Sequence, residues 1–345
     1  MKKFLIGVLI LTLVLVTTAC SSNASGSGSA NNGKKTLTVV WYPNESGADM
    51  KTSRQALDKV IAQATGKKVI DKLTTDYNIA IEAVASGNAD IGFLAAQGYI
   101  EAHKKNSKVL PLVVNTGGSG TLKDAVYYSW ISVRAADASK YQTNGKYSLD
   151  NIAGKKMSFV STASTSGFII PTAQIIHDFK SQSKYKNLSQ NDLTQGGKFF
   201  SQVLFGQTHQ GSAVNLLTGK VDVAAFCDTE LERYVDVASG TFDKPGTTYK
   251  VKSGAPEPFN NLAGKEFTAL TVTPVLNAPI VMNTSTLSKQ DQQKLISTLT
   301  SDKVANDKSI FAPANSSAMF FKTGKNDRFV KINDAWFDPI RKLSE

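Results

Sequence analysis

Residues 76–94 read DYNIAIEAVASGNADIGFL: a helix-like segment, a turn that contains Gly, and a short apolar run. Four apolar residues in the first part recur at helical spacing, and the run after the turn has the composition of a buried strand. The phrase recurs at 217–224 as LTGKVDVA, where a helix end, Gly and Asp again precede a strand. A Gly-capped turn occurs in any α/β protein, but two copies suggest two similarly wound lobes.

The same strand and helix pattern extends in both directions from this phrase. The β-branched and aromatic run at 36–41 (TLTVVW) predicts a first buried strand, and helical spacing over 53–66 predicts a helix that ends at Gly66. Residues 69–70 form a weak strand candidate. Further strands are predicted at 91–94, 127–133, 156–160, 221–226, 268–275 and 280–282, and helices at 168–179, 212–218 and 289–298. Strands that alternate with helices indicate parallel α/β sheets.

Composition excludes several classes of protein. The chain has 345 residues, enough for two domains at roughly 150 residues each, and 41% of them are hydrophobic, which argues against disorder. Two Cys residues cannot build a disulfide scaffold or a four-cysteine zinc site. The net charge is +11, but the Lys and Arg residues are scattered without basic blocks among aromatics. Nucleic-acid binding is therefore disfavoured, and steering of small anions is favoured.

The N-terminus has the pattern of an export signal. Two Lys residues precede thirteen almost wholly apolar residues at 4–16, and small residues then lead to Cys20. A helix of that run would rise about 20 Å, too short to cross a bilayer, so residues 1–19 are predicted to be a signal peptide. The Cys20 environment resembles the lipobox of bacterial lipoproteins, which implies a diacylated thiol; the alternative is ordinary cleavage with a free Cys20. Residues 20–35 are predicted to form a flexible tether.

A hydroxyl-rich segment is the first candidate for chemistry. Residues 161–167 read STASTSG and lie between a predicted strand and a predicted helix. Free N–H groups in the first helical turn, together with hydroxyl donors, form a site for a tetrahedral oxyanion, although one hydroxyl would also serve as a plain helix cap. His209 opens another helix and is a candidate donor to the same anion. His103 and His177 are interpreted as surface or structural residues.

Two carboxylates follow a buried strand. Asp228 and Glu230 come directly after VDVAAF, and ligands of open α/β folds collect at the carboxyl ends of strands. They could bind a metal, act as an acid–base pair or be ordinary helix-start carboxylates. No His or Cys at metal-ligand spacing accompanies them, and common motifs of hydrolases and nucleotide-binding enzymes are missing. We therefore expect neither an enzyme nor a bound metal or cofactor.

The sequence Ser164-Thr165-Ser166-Gly167-Phe168, followed by Pro171, His209 and a carboxylate after VDVAAF, resembles the phosphonate-binding proteins of ABC uptake systems. That family takes up phosphonates, phosphite and phosphate, and the likeness runs from about residue 36 to the C-terminus. It implies an α/β, two-lobed type II periplasmic-binding-protein fold with two hinge crossovers and the ligand in the cleft. The implied lobes are residues 36–126 plus 279–345, and residues 127–278.

The resemblance also implies ligand contacts. Hydroxyls and N–H groups at Ser164, Thr165 and Ser166 would bind phosphoryl oxygens, and His209 would complete the site. Tyr77 would reach across from the first lobe, and Tyr128 would form a wall at the hinge.

The remaining candidates concern the proton and the organic group of the ligand. Asp228, or alternatively Glu230, would accept a proton from the ligand's P–OH, which sulfate lacks. Asn277 stands where binders of aminoalkylphosphonates place a carboxylate, which argues against an aminoalkyl ligand. Glu45 faces the cleft on this view and either contacts ligand or caps a helix.

The sequence as a whole predicts a monomeric solute-binding lipoprotein, anchored on the extracytoplasmic face of the cell membrane. It would bind a phosphorus oxyanion and deliver it to the permease subunits of an ABC importer. A receptor for another small organic anion or a vitamin is the alternative, and an extracellular phosphoryl hydrolase using Asp228 or His209 is a third hypothesis.

Overall fold

The computed structural model describes residues 34–313 and 318–344. The predicted signal peptide, Cys20 and the tether up to residue 33 lie outside these residues. Every helix among these residues is too short or too polar to span a bilayer.

Two sheets carry the site, and two short pairs of strands accompany them. The strands in chain order are β1 (Thr36–Trp41), β2 (Lys68–Leu73), β3 (Ile91–Phe93), β4 (Val109–Asn115), β5 (Val126–Arg134), β6 (Gln142–Thr143), β7 (Lys146–Tyr147), β8 (Lys156–Phe159), β9 (Gln202–Phe205), β10 (Val223–Cys227), β11 (Val235–Ser239), β12 (Thr248–Val251), β13 (Glu266–Leu276), β14 (Pro279–Asn283), β15 (Phe311–Ala312), β16 (Phe320–Phe321) and β17 (Phe329–Val330).

The helices flank both sheets. They are α1 (Lys51–Thr65), α2 (Tyr77–Ala85), α3 (Ala96–Lys105), α4 (Ile170–Phe179), α5 (His209–Leu217), α6 (Asp228–Leu231), α7 (Lys289–Leu299), α8 (Asp302–Ala305) and α9 (Asp338–Ser344). A π-helical turn, Thr165–Ile169, runs directly into α4, and short 3₁₀ turns occupy Pro43–Ser46, Ala48–Met50, Leu122–Asp124, Ala135–Tyr141, Asn191–Leu193 and Asp334–Phe337.

Local signals set the first elements as the sequence predicts. The strand β1 is buried almost throughout, and α1 ends at Gly66, which has a left-handed φ of 69° and donates its N–H to the Ala62 carbonyl. Asp76 caps α2 by accepting a hydrogen bond from the Asn78 N–H at 2.7 Å. The predicted first strand and the Gly66 helix end are confirmed.

The first sheet has six strands in the order β17-β4-β14-β3-β1-β2, and the second has seven in the order β11-β12-β13-β5-β10-β8-β9. Strands pair in parallel around β1 and around β8, but β5 and β13 pair antiparallel, as β14 does with β3 and β4. Both sheets are therefore mixed rather than parallel. The reason is that the chain leaves the first sheet through β4 and β5 and returns through β13 and β14. The outgoing and returning strands are neighbours and run in opposite directions.

The chain passes from the first sheet to the second between β4 and β5, and it returns between β13 and β14. Asn277 joins these two crossovers: its N–H donates to the Ala125 carbonyl at 3.0 Å, and its Nδ2 donates to the Asn115 carbonyl at 2.8 Å. One buried residue, through its main chain and its side chain, thus fixes both connections at the point where the sheets meet.

Candidate functional site

A small cavity lies between the two sheets. Its volume is about 70 Å³, and Tyr42, Glu45 and Tyr77 on the side of the first sheet face Tyr127, Ser166, His209 and Glu230 on the side of the second. Water takes up about 30 Å³ in the liquid, so this cavity has room for about two waters or one ion of a few heavy atoms. We call it the cleft cavity.

Several helix N-termini converge on the cleft cavity. Tyr77 and His209 are the first residues of α2 and α5, and Ser166 is the second residue of the π-helical turn. Among the described residues, those lining the cavity include no Lys or Arg. Helix N-termini present free N–H groups and the positive end of the helix dipole, so this cavity favours an anion without a cationic side chain.

The hydroxyl-rich segment gives the site its amides. The Ser164 Oγ accepts a hydrogen bond from the Gly167 N–H at 3.1 Å, and the first intrahelical bond is donated by Ile169 to the Ser164 carbonyl. The N–H groups of Thr165 and Ser166 precede that bond, so the helix offers them no acceptor. Ser164 is therefore the cap of this helix, and Ser166 is the residue of the hydroxyl-rich segment that lines the cavity.

Gly167 is required by the close packing of this segment. A Cβ added at Gly167 would lie 2.3 Å from the Val160 Cγ2 and 2.8 Å from the Ser164 Oγ. No side chain fits there without displacing Ser164, the capping serine. Close packing therefore requires glycine at this position.

Thr165 has a different position from its two neighbours. Its Oγ1 accepts a hydrogen bond at 2.8 Å from the N–H of Gln97, which lies on α3 beside the first sheet. The N–H of His209 similarly donates to the Asn44 Oδ1 at 3.3 Å. These two hydrogen bonds join the two sides of the cleft.

His209 is buried and neutral. Its Nε2 lies 3.5 Å from the Ser164 Oγ, and its Nδ1 is buried without a hydrogen-bond partner among the described residues. Burial lowers the pKa of His209 to about 3 because a charged imidazole would lose its hydration. The side chain can therefore give a ligand one hydrogen bond but no positive charge.

Two tyrosines form the wall on the side of the first sheet. The rings of Tyr42 and Tyr77 have centroids 4.0 Å apart, and the Asn44 Nδ2 donates to the Tyr77 hydroxyl at 2.6 Å. The Tyr42 hydroxyl is buried without a partner among the described residues. Gly98 of α3 makes room for it, since a Cβ there would lie 1.8 Å from that oxygen.

The carboxyl groups divide between two cavities. Glu45 and Glu230 line the cleft cavity, and the Gln210 Nε2 donates to the Glu230 Oε2 at 2.9 Å. Asp228 instead lines a neighbouring cavity of about 310 Å³, and its Oδ1 accepts from the Tyr128 N–H at 2.9 Å. Burial and then the charge of Asp243 raise the pKa of Asp228 well above its usual value.

The second cavity also holds Tyr128, whereas Tyr127 borders both cavities. Adjacent residues of a strand point to opposite faces, so Tyr127 reaches the cleft cavity and Tyr128 does not. Asn277 borders both cavities, and its Nδ2 is bonded to the hinge rather than left for a ligand.

The other two histidines lie away from the cavity. The His103 ring Nδ1 contacts the Val109 carbonyl at 2.8 Å, and His177 is exposed beside Asp178. In residues 34–313 and 318–344, no group of three or more His, Cys, Asp and Glu residues could hold a metal ion.

Sequence reasoning missed three of these wall residues. Tyr42 and Asn44 follow β1 directly, so their position at the end of the first strand was an available signal. Tyr127 is the neighbour of the predicted Tyr128, and only the direction in which β5 turns each side chain decides between them.

Two α/β sheets joined by two crossovers, with a small polar cleft between them, define the type II class of periplasmic binding proteins. Comparison with known proteins identifies the family. Residues 39–337 match the family model described as "ABC transporter, phosphonate, periplasmic substrate-binding protein", and this chain belongs to that family.

Individual relatives agree with the family. The chain is 28% identical over 225 residues to the phosphate-import protein PhnD of Mycolicibacterium smegmatis, a match that covers 64% of each protein and so just under two thirds of the relative. The fold is similar to the binding component of an ABC phosphonate transporter from Pseudomonas aeruginosa (TM-score 0.64, 18% identity, 90% of this chain and 85% of that one). It is equally similar to PhnD1 from Prochlorococcus marinus in complex with methylphosphonate (TM-score 0.64, 14% identity, 90% and 97%).

Proposed function

We propose that this protein is the solute receptor of an ABC importer and binds a phosphorus oxyanion, namely phosphite, phosphate or a small phosphonate, in the cleft cavity. The observation that carries the proposal is a set of unsatisfied polar atoms. The Tyr42 hydroxyl, the Glu45 Oε2 and the His209 Nδ1 belong to residues that line the cavity, and all three are buried without partners among the described residues. Such atoms are costly unless a ligand or water satisfies them.

The phosphoryl oxygens would be bound by neutral donors. The N–H groups of Thr165 and Ser166, the Ser166 hydroxyl and the His209 imidazole lie on the side of the second sheet, and Tyr77 lies opposite. The names of the relatives, a phosphate-import protein and a methylphosphonate complex, support this class of ligand.

The dimensions of the site favour a small ligand. A cavity of about 70 Å³ favours an anion of a few heavy atoms over a vitamin or a large organic anion. An organic substituent on phosphorus would have to extend towards the second cavity, which shares Tyr127, Thr229 and Asn277 with the first. This favours phosphite, phosphate and methylphosphonate over bulkier phosphonates.

The delivery steps are part of the same proposal. Closure by hinge bending about the crossovers at Asn277 would trap the anion, and the protein would release it to permease subunits in the membrane. We propose a monomer with two lobes, residues 36–126 plus 279–345 and residues 127–278, anchored outside the cell membrane through a lipid on Cys20. We propose no catalytic step; burial raises the pKa of the Cys227 thiol, which argues against a nucleophile in the cleft cavity.

Isothermal titration with phosphite, methylphosphonate, aminoethylphosphonate, phosphate and sulfate tests the proposal. We expect one of the phosphorus anions to bind most tightly and Ser166→Ala to weaken it by about tenfold or more, since hydrogen bonds to charged groups contribute about 1.5–3 kcal/mol. Ser119→Ala, at an exposed loop outside the cavity, is the control. Tightest binding of sulfate, or binding of none of the five, would overturn the proposal.

A further inference from the structure

Glu45 is a buried carboxyl group that lacks a full set of hydrogen-bond partners among the described residues. It lies in the 3₁₀ turn Pro43–Ser46 after β1, its side chain lines the cleft cavity, and it is only 3% exposed. Its Oε2 has no hydrogen-bond partner among the described residues, and it caps neither its own turn nor the helix that follows. The main chain is held separately, because the Glu45 N–H donates to the Tyr42 carbonyl and the Glu45 carbonyl accepts from Arg54.

The groups that face Glu45 come from several elements. Glu230 of α6, with Arg233 just after it, lies on the side of the second sheet, and Arg54 of α1 lies behind the turn. The Tyr42 and Tyr77 hydroxyls are within electrostatic range of Glu45, and the neutral His209 and the Cys227 thiol line the same cavity.

The two carboxyl groups of this cavity are not equivalent. Glu230 accepts from the Gln210 Nε2 at 2.9 Å and lies 3.5 Å from an Arg233 guanidinium nitrogen, so its charge is compensated. Burial, followed by the charge of Glu230, raises the pKa of Glu45 well above its usual value. When two buried carboxyl groups are close together, one proton between them relieves the repulsion. The contacts assign the charge to Glu230 and the proton to Glu45.

We propose that Glu45 selects the ligand and makes binding depend on pH. It enters the complex as a neutral carboxylic acid and donates a hydrogen bond to an oxygen of the bound anion. An ionised Glu45 in a cavity of about 70 Å³ would instead place a further negative charge against the anion. The orphaned Oε2 and an anionic oxygen then satisfy each other through one shared proton. This inference rests on the proposed function and adds Glu45 as the hydrogen-bond donor that makes binding sensitive to the charge of the ligand.

The proposal makes a linkage prediction. Binding requires protonated Glu45, so above the pH at which free Glu45 ionises the affinity should fall tenfold per pH unit, and each binding event should take up one proton. Glu45→Gln keeps a neutral hydrogen-bond donor of nearly the same shape, so that variant should bind without this requirement. Taking the ratio of wild-type to variant affinity for one ligand cancels the ligand's own titration.

The experiment is titration calorimetry of the mature protein with phosphite and with methylphosphonate from pH 5 to 9, in buffers of different ionisation heat. The control is Glu101→Gln: Glu101 is also partly buried with a raised pKa, but it is bonded to Gln97 and lies outside the cavity. We expect the ratio for Glu45→Gln to change with pH, with one proton fewer taken up than in the wild type, and the ratio for Glu101→Gln to stay constant.

Three outcomes would overturn the inference while leaving the proposed function intact. A ratio for Glu45→Gln that is constant across the pH range would show that Glu45 does not titrate with binding. A loss of more than a hundredfold at every pH in folded Glu45→Gln would show that an ionised carboxylate is required as an acceptor. If the variant does not fold, the proton count of the wild type decides: no uptake beyond that of the ligand itself refutes the proposal. Absence of binding by the wild type would instead refute the proposed function, and this inference with it.

Discussion

Gly98→Ala tests whether Tyr42 occupies the position on which the cleft cavity depends. The new Cβ would lie 1.8 Å from the Tyr42 hydroxyl oxygen and 3.1 Å from its Cζ, whereas ordinary contacts begin near 3.4 Å. Tyr42 is buried against the Tyr77 ring at 4.0 Å, so it has little freedom to withdraw. One of the two side chains must shift by more than 1 Å.

Two opposing effects on the free energy of unfolding decide the result. Replacing Gly by Ala inside a helix usually stabilises it by about 0.5–1 kcal/mol, while overpacking a buried site costs about 1–3 kcal/mol. We therefore expect Gly98→Ala to destabilise the protein by roughly 1 kcal/mol. Ligand affinity should also fall, because the displaced tyrosine moves a wall of the cavity.

Tyr42→Phe supplies the decisive comparison. Removing the hydroxyl leaves the Cζ, at 3.1 Å, as the nearest ring atom among the contacts of that Cβ, a separation that a shift of a few tenths of an ångström relieves. The double variant should recover the ordinary Gly-to-Ala gain, with a coupling energy of about 1–3 kcal/mol in a double-mutant cycle measured by urea denaturation. If Gly98→Ala alone is stabilising, or if the two changes are additive, Tyr42 does not pack against α3 as described.

Three further perturbations test separate features. Thr165→Val removes the acceptor for the Gln97 N–H across the cleft, and we expect about tenfold weaker ligand binding, mainly through faster dissociation in stopped-flow measurements; unchanged dissociation would contradict a role in closure. Burial holds the pKa of His209 near 3, so the ratio of wild-type to His209→Asn affinity should stay constant from pH 8 to 5. An increase in the affinity of the wild type alone below pH 6.5 would show that the histidine binds as a cation. Burial, then Asp71, raises the pKa of Asp58 from 3.8 to about 7, so its contribution to stability is present below pH 3.8 and lost as the pH rises through 7. Discounted for partial exposure, Asp58→Asn should exceed the wild type by about 1 kcal/mol at pH 8 and match it at pH 4 in urea denaturation, and an equal difference at both pH values would refute this.

Elements with strong local signals were predictable from the sequence, and those set by tertiary context were not. Helix α1 has helical spacing and a Gly cap, and it forms within two residues of the predicted bounds. Strand β4 was missed because Pro111 interrupts its pattern, and Pro is disfavoured in the middle of a sheet. The structure accommodates Pro111 at an irregularity in register: Ile280 and Val281 of β14 pair with Val113 and Pro111, so the residue of β4 between them is left out of the pairing.

The choice between Asp228 and Glu230 illustrates why the site was only partly predictable. Both residues follow β10 at once and begin α6, so their place at the end of a buried strand could be inferred from composition. Residues two apart on a helix point about 200° apart, so they face nearly opposite directions. Only the angle at which α6 leaves the strand decides which carboxyl reaches the cleft cavity, and that angle is a property of the packed protein.

The unsatisfied atoms of the cleft cavity also explain why closure would depend on ligand. The hydrogen bonds from Gln97 to Thr165 and from His209 to Asn44 hold the two sides of the cleft together in this structure, and we refer to this as the closed arrangement. With neither water nor ligand in the cleft cavity, the same arrangement leaves the Tyr42 hydroxyl, the Glu45 Oε2 and the His209 Nδ1 without partners among the described residues, at a cost of about 1–3 kcal/mol each. Two neutral hydrogen bonds, at about 1 kcal/mol each, do not offset that cost. An anion that accepts from these donors removes the penalty only when the sheets are together, so we expect ligand binding to shift the population towards the closed form.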